Sequence, residues 1–202
     1  MNTKASKANN KASAVAQTPT PAAKPSSKSQ KIDWVAEVAT MNTAAKDKFA
    51  GSRGDALGKV ATFIADDKSA AAQLLRTAAA QTGAQLFIDS PRNVLSKLPK
   101  LATCIAAGTP WCSVSALQPE NKRKEDASVA VALFALGAGN ARQKAIVAEA
   151  SKRYVGGANA QMPAALDACV IMGIVERKPG GPRNAEYVIA DAERAAKLIP
   201  TG

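Results

Sequence analysis

Residues 162–190 read MPAALDACVIMGIVERKPGGPRNAEYVIA, and this stretch constrains the fold more than any other part of the chain. Apolar residues with helical spacing end at Gly173, and residues typical of strands follow on both sides of PGGPRN. Proline and glycine in that segment favour a tight turn, flanked here by Lys178 and Arg183. The sequence therefore predicts a helix followed directly by a short hairpin with a basic tip.

Small apolar residues dominate the rest of the sequence. Hydrophobic residues make up 47% of the 202 residues, but aromatic residues only 4%, and alanine is the commonest type. This composition favours closely packed helices over an aromatic-rich sandwich or barrel. We therefore predict a mainly α fold, in which a small N-terminal helical bundle precedes a C-terminal domain of three helices and a hairpin.

The residue types present exclude several classes of site. Histidine is absent, which excludes catalytic and metal sites built on imidazole. Cys104, Cys112 and Cys169 lack CxxC spacing and lie among apolar neighbours, so we expect small core residues. We interpret Asp66 and Asp67 as a solvated helix junction. With no nucleophile–base pair, P-loop or GxGxxG turn, we expect no enzymatic activity, no cofactor and no metal.

Residues 1–31 contain lysine but no acid, within a net charge of +11 for the whole chain. Little in this segment can be buried, so we predict a disordered tail that binds phosphates regardless of sequence. A solubilising leader and an organellar transit peptide are the alternatives. The lysines of the tail are Lys4, Lys7, Lys11, Lys24, Lys28 and Lys31.

No apolar run reaches the roughly 18 residues that span a bilayer, and no secretory signal is present. The sequence therefore predicts a soluble cytoplasmic protein with no membrane partner. The strongly basic balance indicates a polyanionic partner. An alanine-rich, histidine-free composition suits a bacterial protein that is nucleoid-associated, or one encoded by a phage or plasmid.

Residues 32–108 show helical spacing of apolar residues and contain no chemical motif, which predicts a helical bundle. In its first helix we expect one inward-facing apolar stripe formed by Ile32, Val35, Val38 or Ala39, and later Phe49. The predicted helix boundaries are an end at Gly51, an end at Gly83, a start at Ser90–Pro91 and an interruption at Pro99. This bundle is expected to mediate oligomerisation or contact with a protein partner.

Residues 109–126 are predicted to be a linker, because prolines and a charged run interrupt any long element. Trp111 is expected to anchor the linker against a neighbouring domain. We interpret Lys122, Arg123 and Lys124 as solvated, since two acids follow them directly.

Residues 127–199 form the last predicted domain. SVAVALFALGAG and ARQKAIVAEASKRYVGG read as its first two helices. Pro163 is expected in the first turn of the third helix, where a missing N–H costs nothing. In the hairpin, Ile174 is expected across from Tyr187 or Ile189.

The stretch AALDACVIMGIVERKPGGPRNAEYVI resembles the winged helix-turn-helix superfamily, and the resemblance covers residues 127–190, about a third of the chain. It implies double-stranded DNA as the partner, with the third helix in the major groove and the basic wing on the backbone. It also implies that Ala164, Ala165 and Ala168 line the groove side of that helix. The implied nucleic-acid-binding residues are Arg142, Lys144, Lys152, Arg153, Asn159, Gln161, Arg177, Lys178, Gly180, Gly181 and Arg183.

The third helix departs from the family pattern, because it displays alanines and Asp167 where base-reading helices carry Arg, Asn or Gln. We therefore expect phosphate-dominated DNA binding with modest sequence preference, suited to transcription regulation, replication or partition, or genome organisation. The alternative is a winged-helix protein-interaction or structural module in a larger nucleoprotein or viral assembly, with RNA as the bound polyanion.

Overall fold

The computed structural model describes residues 33–47, 51–65, 68–118, 125–153, 157–179 and 185–201; for Arg153 it describes the backbone alone. The chain divides into two units, residues 1–30 and 31–202, and every described residue belongs to the second. The expectations for the tail, for Ile32 and Phe49, for Asp66 and Asp67, for Lys122 to Lys124 and for the hairpin tip therefore lie outside the described residues.

The described part is mainly helical with a small two-stranded antiparallel sheet near the C-terminus, as predicted. The helices are α1 (Trp34–Asp47), α2 (Ser52–Ala65), α3 (Ala70–Thr82), α4 (Ala84–Asp89), α5 (Arg92–Leu95), α6 (Leu98–Ala107), a 3-10 helix (Val114–Leu117), α7 (Ser128–Gly137), α8 (Gln143–Arg153), α9 (Ala158–Ile171) and α10 (Ala192–Leu198). The strands are β1 (Val175–Lys178) and β2 (Glu186–Ile189).

Local residue chemistry explains several helix ends. The Ser69 hydroxyl accepts a hydrogen bond from the Ala72 N–H at 3.3 Å and so caps α3. Gly83 ends α3 with a φ of 75°, which confirms the predicted end, because only glycine adopts that region freely. The carboxylate of Asp191 caps α10 in the same way, by accepting from the Arg194 N–H at 3.0 Å.

Two proline expectations differ from the structure. Pro163 lies inside α9 and not in its first turn. Gly157, with a φ of 82°, starts the helix earlier, and its carbonyl accepts from the Gln161 N–H at 2.8 Å. Pro99 occupies the first turn of α6, and the break between helices falls just before it, at Ser96 and Lys97.

The expectation that Val35 faces inward is wrong. Its side chain is 56% exposed, and α1 instead buries Val38, Met41 and Ala44, whose spacing of three residues follows one face of the helix.

The hairpin also differs in register from the expectation. Ile189 pairs with Val175 and Tyr187 pairs with Arg177, while the Ile174 carbonyl accepts from the Ala190 N–H at 2.9 Å. Both Ile174 and Tyr187 are buried.

The core is continuous between the N-terminal helices and the C-terminal helices. Helix α5 packs against α9, and α10 packs against both α6 and α7. Trp111 is buried, and its backbone N–H donates to the Leu198 carbonyl at 3.0 Å. This hydrogen bond connects residues 109–118 to the C-terminal end of α10.

Candidate nucleic-acid interface

Arg142 is held against the hairpin by the residues around it. Ala141 and Arg142 run along the edge of β2 that faces away from β1, with the Tyr187 N–H donating to the Ala141 carbonyl at 2.8 Å. The Arg142 guanidinium is exposed and lies 3.2 Å from the Glu186 carboxylate. Chain position alone does not indicate this pairing, because the two residues are 44 positions apart.

Lys178 joins Arg142 on one face of the hairpin. Glu186 lies directly opposite Lys178 in the sheet and is also bridged to Arg142. Side chains of directly opposed residues point to the same face. The structure therefore brings Arg142 and Lys178 together on either side of one carboxylate.

Arg177 points the other way, because successive strand residues alternate between faces. It lies opposite the buried Tyr187 and near Asp167 of α9. Burial raises the pKa of Asp167, and the positive charge of Arg177 opposes that rise. Burial also raises the pKa of the Tyr187 hydroxyl. Arg177 thus borders a crevice beside α9 and does not share the face of Lys178.

Lys144 and Lys152 of α8 are exposed, but not both are free to bind a ligand. Lys152 forms an ion pair of 2.7 Å with Glu149, one turn away on the same helix. Lys144 has no ion-pair partner among the described residues. Arg153 ends the helix.

The predicted groove side of the third helix is wrong. Ala164, Ala165 and Ala168 are buried, since α7, α8 and α5 all pack on α9. The small side chains of these alanines let the neighbouring helices approach closely. Of the predicted polar readers, Asn159 is exposed and Gln161 is partly buried, both near the start of α9. The remaining predicted residues, Gly180, Gly181 and Arg183, lie outside the described residues.

Positive charge is unevenly distributed along the chain. The described residues contain sixteen Lys and Arg against thirteen Asp and Glu, so this part is close to neutral. Residues 1–31 contribute six lysines and no acid to the total of +11. Most of the excess charge therefore belongs to segments outside the described helices and strands.

The thiols match the expectation of small core residues. All three cysteines are free and buried. Burial raises the pKa of Cys169 to about 12 and that of Cys112 to about 11, with Glu125 adding to the latter. Neither thiol ionises near neutral pH, so neither supplies a thiolate nucleophile.

In the described part of the chain, no group of three or more Cys, Asp or Glu side chains is placed to hold a metal ion. None of the described helices is long and apolar enough to cross a membrane. The comparisons with known proteins found no match among family models, curated proteins or solved structures.

Proposed function

We propose that this protein is a non-enzymatic nucleic-acid-binding protein that contacts the phosphates of duplex DNA without strong base preference. Its C-terminal helices and hairpin act as a winged helix whose wing, and not its third helix, meets the duplex. The lysines of residues 1–31 add further phosphate contacts.

The observation that carries this proposal is that most of the excess positive charge lies outside the described residues, which are themselves close to neutral. A segment with six lysines and no acid attracts polyanions whatever their sequence, because the interaction is with phosphates. Arg142 and Lys178 lie on one exposed hairpin face, where Glu186 between them offsets one of the two positive charges.

Weak base preference follows from the burial of α9. A helix reads bases by projecting side chains into the major groove, and here alanines on three positions of α9 contact protein instead. Asn159 and Gln161 are the polar side chains left near its accessible start. Any sequence preference should therefore be small.

Binding across a salt series tests the proposal. Fluorescence anisotropy with a random duplex should give affinity that falls steeply with salt, because each neutralised phosphate releases counterions. Replacing Arg142 and Lys178 together by Glu should weaken binding to all sequences alike and lower the log–log salt slope by about 1 for each phosphate that is no longer neutralised. The matched control is reversal of Arg194 and Lys197 on α10, of which Arg194 is half-buried and Lys197 exposed. If the protein did not bind the duplex at low salt, the proposal would be wrong.

One observation favours a second candidate, a winged-helix packing module within a nucleoprotein or viral assembly. Ala164, Ala165 and Ala168 of α9 are buried against α5 and other helices, so the third helix acts in packing within the chain. Sedimentation of the protein with and without RNA distinguishes the two functions. Large, regular particles that form with RNA, together with no preference for duplex DNA, would favour assembly.

A further inference from the structure

Two cavities lie side by side on the N-terminal helices, separated by α2. The larger is a groove of about 800 Å³ between α1 and α2, and the smaller is a cleft of about 270 Å³ between α2 and the α5–α6 turn. Asp55 and Lys59 line both cavities, so the two form one continuous surface across α2. We call it the α2 surface.

Three cations converge on the α2 surface. Lys46 lines the groove, Arg92 lines the cleft and Lys59 lies between them. All three are exposed, and none has an ion-pair partner among the described residues. Asp55 is the only acid among the described lining residues, and it belongs to the first turn of α2, where a carboxylate stabilises the helix. The local charge is therefore positive, since three cations face one carboxylate.

The contents of the two cavities suit a nucleotide chain. Ser52 and Ser96 add hydroxyl groups to the cleft beside Arg92. Phe63, a partly buried ring, lines the groove together with Asn42 and Thr62. Cations that follow the backbone and an aromatic ring for base stacking are the elements by which proteins bind single strands.

Gly58 is unexplained by the packing of α2. A glycine inside a helix costs about 1 kcal/mol relative to alanine. A Cβ atom added at Gly58 would meet nothing within 4 Å, so no neighbouring helix requires the glycine. Gly58 lines the groove, and the lack of a side chain there leaves the groove deeper.

We propose that the α2 surface binds a single strand of nucleic acid, with Lys46, Lys59 and Arg92 contacting successive phosphates. This inference rests on the proposed nucleic-acid-binding function and adds a second surface to it. The occupant is a single strand because its bases are free to stack on the ring of Phe63, whereas a duplex keeps its bases stacked inside.

The test uses the full chain and two probes, an oligothymidylate strand and a random duplex. Replacing Lys59 and Arg92 together by Gln should lower affinity for the single strand and reduce its log–log salt slope by about 0.7 for each phosphate left without its cation. Duplex affinity should change far less. The control is the same double replacement at two cations of α10, the half-buried Arg194 and the exposed Lys197.

A second variant, Gly58→Gln, fills the groove without removing charge. Because glutamine favours helix over glycine, its melting temperature should equal or exceed that of the unmodified protein. Single-strand affinity should nevertheless fall, which a purely structural role of Gly58 does not predict.

The outcomes separate this inference from the proposed function. Duplex binding with single-strand affinity unchanged in both variants would overturn the α2 surface alone. So would an equal loss in the α10 control, since that would show a general effect of net charge. If the unmodified protein bound neither probe, both proposals would fall.

Discussion

Lys97 and Asp126 form an ion pair that connects the turn before α6 with the start of α7. The Lys97 ammonium is almost fully buried and lies 2.8 Å from the Asp126 carboxylate. The same carboxylate accepts from the Ser128 N–H at 2.9 Å. Burial alone would raise the pKa of Asp126, but the hydrogen bonds from Lys97 and Ser128 outweigh it and the pKa is lowered. The charged carboxylate is therefore the form that stabilises the fold.

Replacing Asp126 by Asn should destabilise the protein by about 2 kcal/mol at neutral pH, because it leaves a buried ammonium without its anion. A carboxyl whose folded pKa is lowered contributes stability above its unfolded pKa, and this contribution is lost as pH falls through the folded value. The difference between the two proteins should therefore begin to narrow as the pH falls below about 4, near the unfolded pKa, and vanish only below the lowered folded pKa. Urea unfolding at several pH values measures it.

The control for this ion pair is Glu193→Gln, which removes the exposed partner of Lys197. An exposed pair contributes about 0–1 kcal/mol, so the change should be small at every pH. A constant difference between the Asp126→Asn variant and the unmodified protein from pH 7 to pH 3 would contradict the assigned role of the carboxylate.

At the scale of elements, α9 differs most from its expected role. Its alanines were predicted to face the major groove, but α5 and the neighbouring helices cover them. Ala168→Gln should therefore destabilise the fold by about 3 kcal/mol, because a longer polar side chain must enter a packed core. Thermal or urea unfolding measures the loss.

Ala160→Gln makes the same change on the exposed side of α9 and should shift stability by less than about 0.5 kcal/mol. Equal, small effects for both variants would mean that α9 is not covered as described.

The ends and caps of helices could be predicted from sequence more reliably than the helices against which they pack. Gly83 ends a helix because its φ is positive, and this preference belongs to the residue itself. Asp191 caps α10 by the same kind of local chemistry, so the pattern DAERAAKL was a usable signal for a helix that the sequence analysis did not identify. In contrast, the sequence does not distinguish the buried alanines of α9 from the exposed Ala160, because the packing of α5, α7 and α8 decides which are covered. The contact with α5 joins residues far apart in sequence.

At the scale of the whole molecule, the contacts within the candidate interface also could not be predicted, because they join residues far apart in sequence. Arg142, Lys144 and Lys178 are among the residues expected at the interface, and all three are exposed. The pairing of Arg142 with Glu186, and the placement of Arg177 on the opposite face, depend on strand register that no local pattern specifies. The α2 surface was missed for a related reason, since Lys46, Lys59 and Arg92 converge only after three helices pack.

Removal of residues 1–31 tests whether this segment supplies charge for binding while the rest of the chain supplies the fold. The described helices and strands belong to the unit of residues 31–202. We therefore expect the melting temperature of the shortened protein to stay within about 2 °C of the full chain. Affinity for duplex DNA should fall sharply, and the log–log salt slope should decrease by about 0.9 for each lysine that contacts a phosphate.

A full-length variant with the six tail lysines replaced by Gln separates charge from chain length. If the tail acts through phosphate contacts, this variant should bind as weakly as the shortened protein and show the same salt slope, because counterion release depends on the charges alone. If the substituted variant instead kept the affinity of the unmodified protein while the shortened protein bound weakly, interactions other than lysine–phosphate pairs would be responsible. A large fall in melting temperature on deletion would show that the tail supports the fold. The expectation that the tail contributes charge alone would then be wrong.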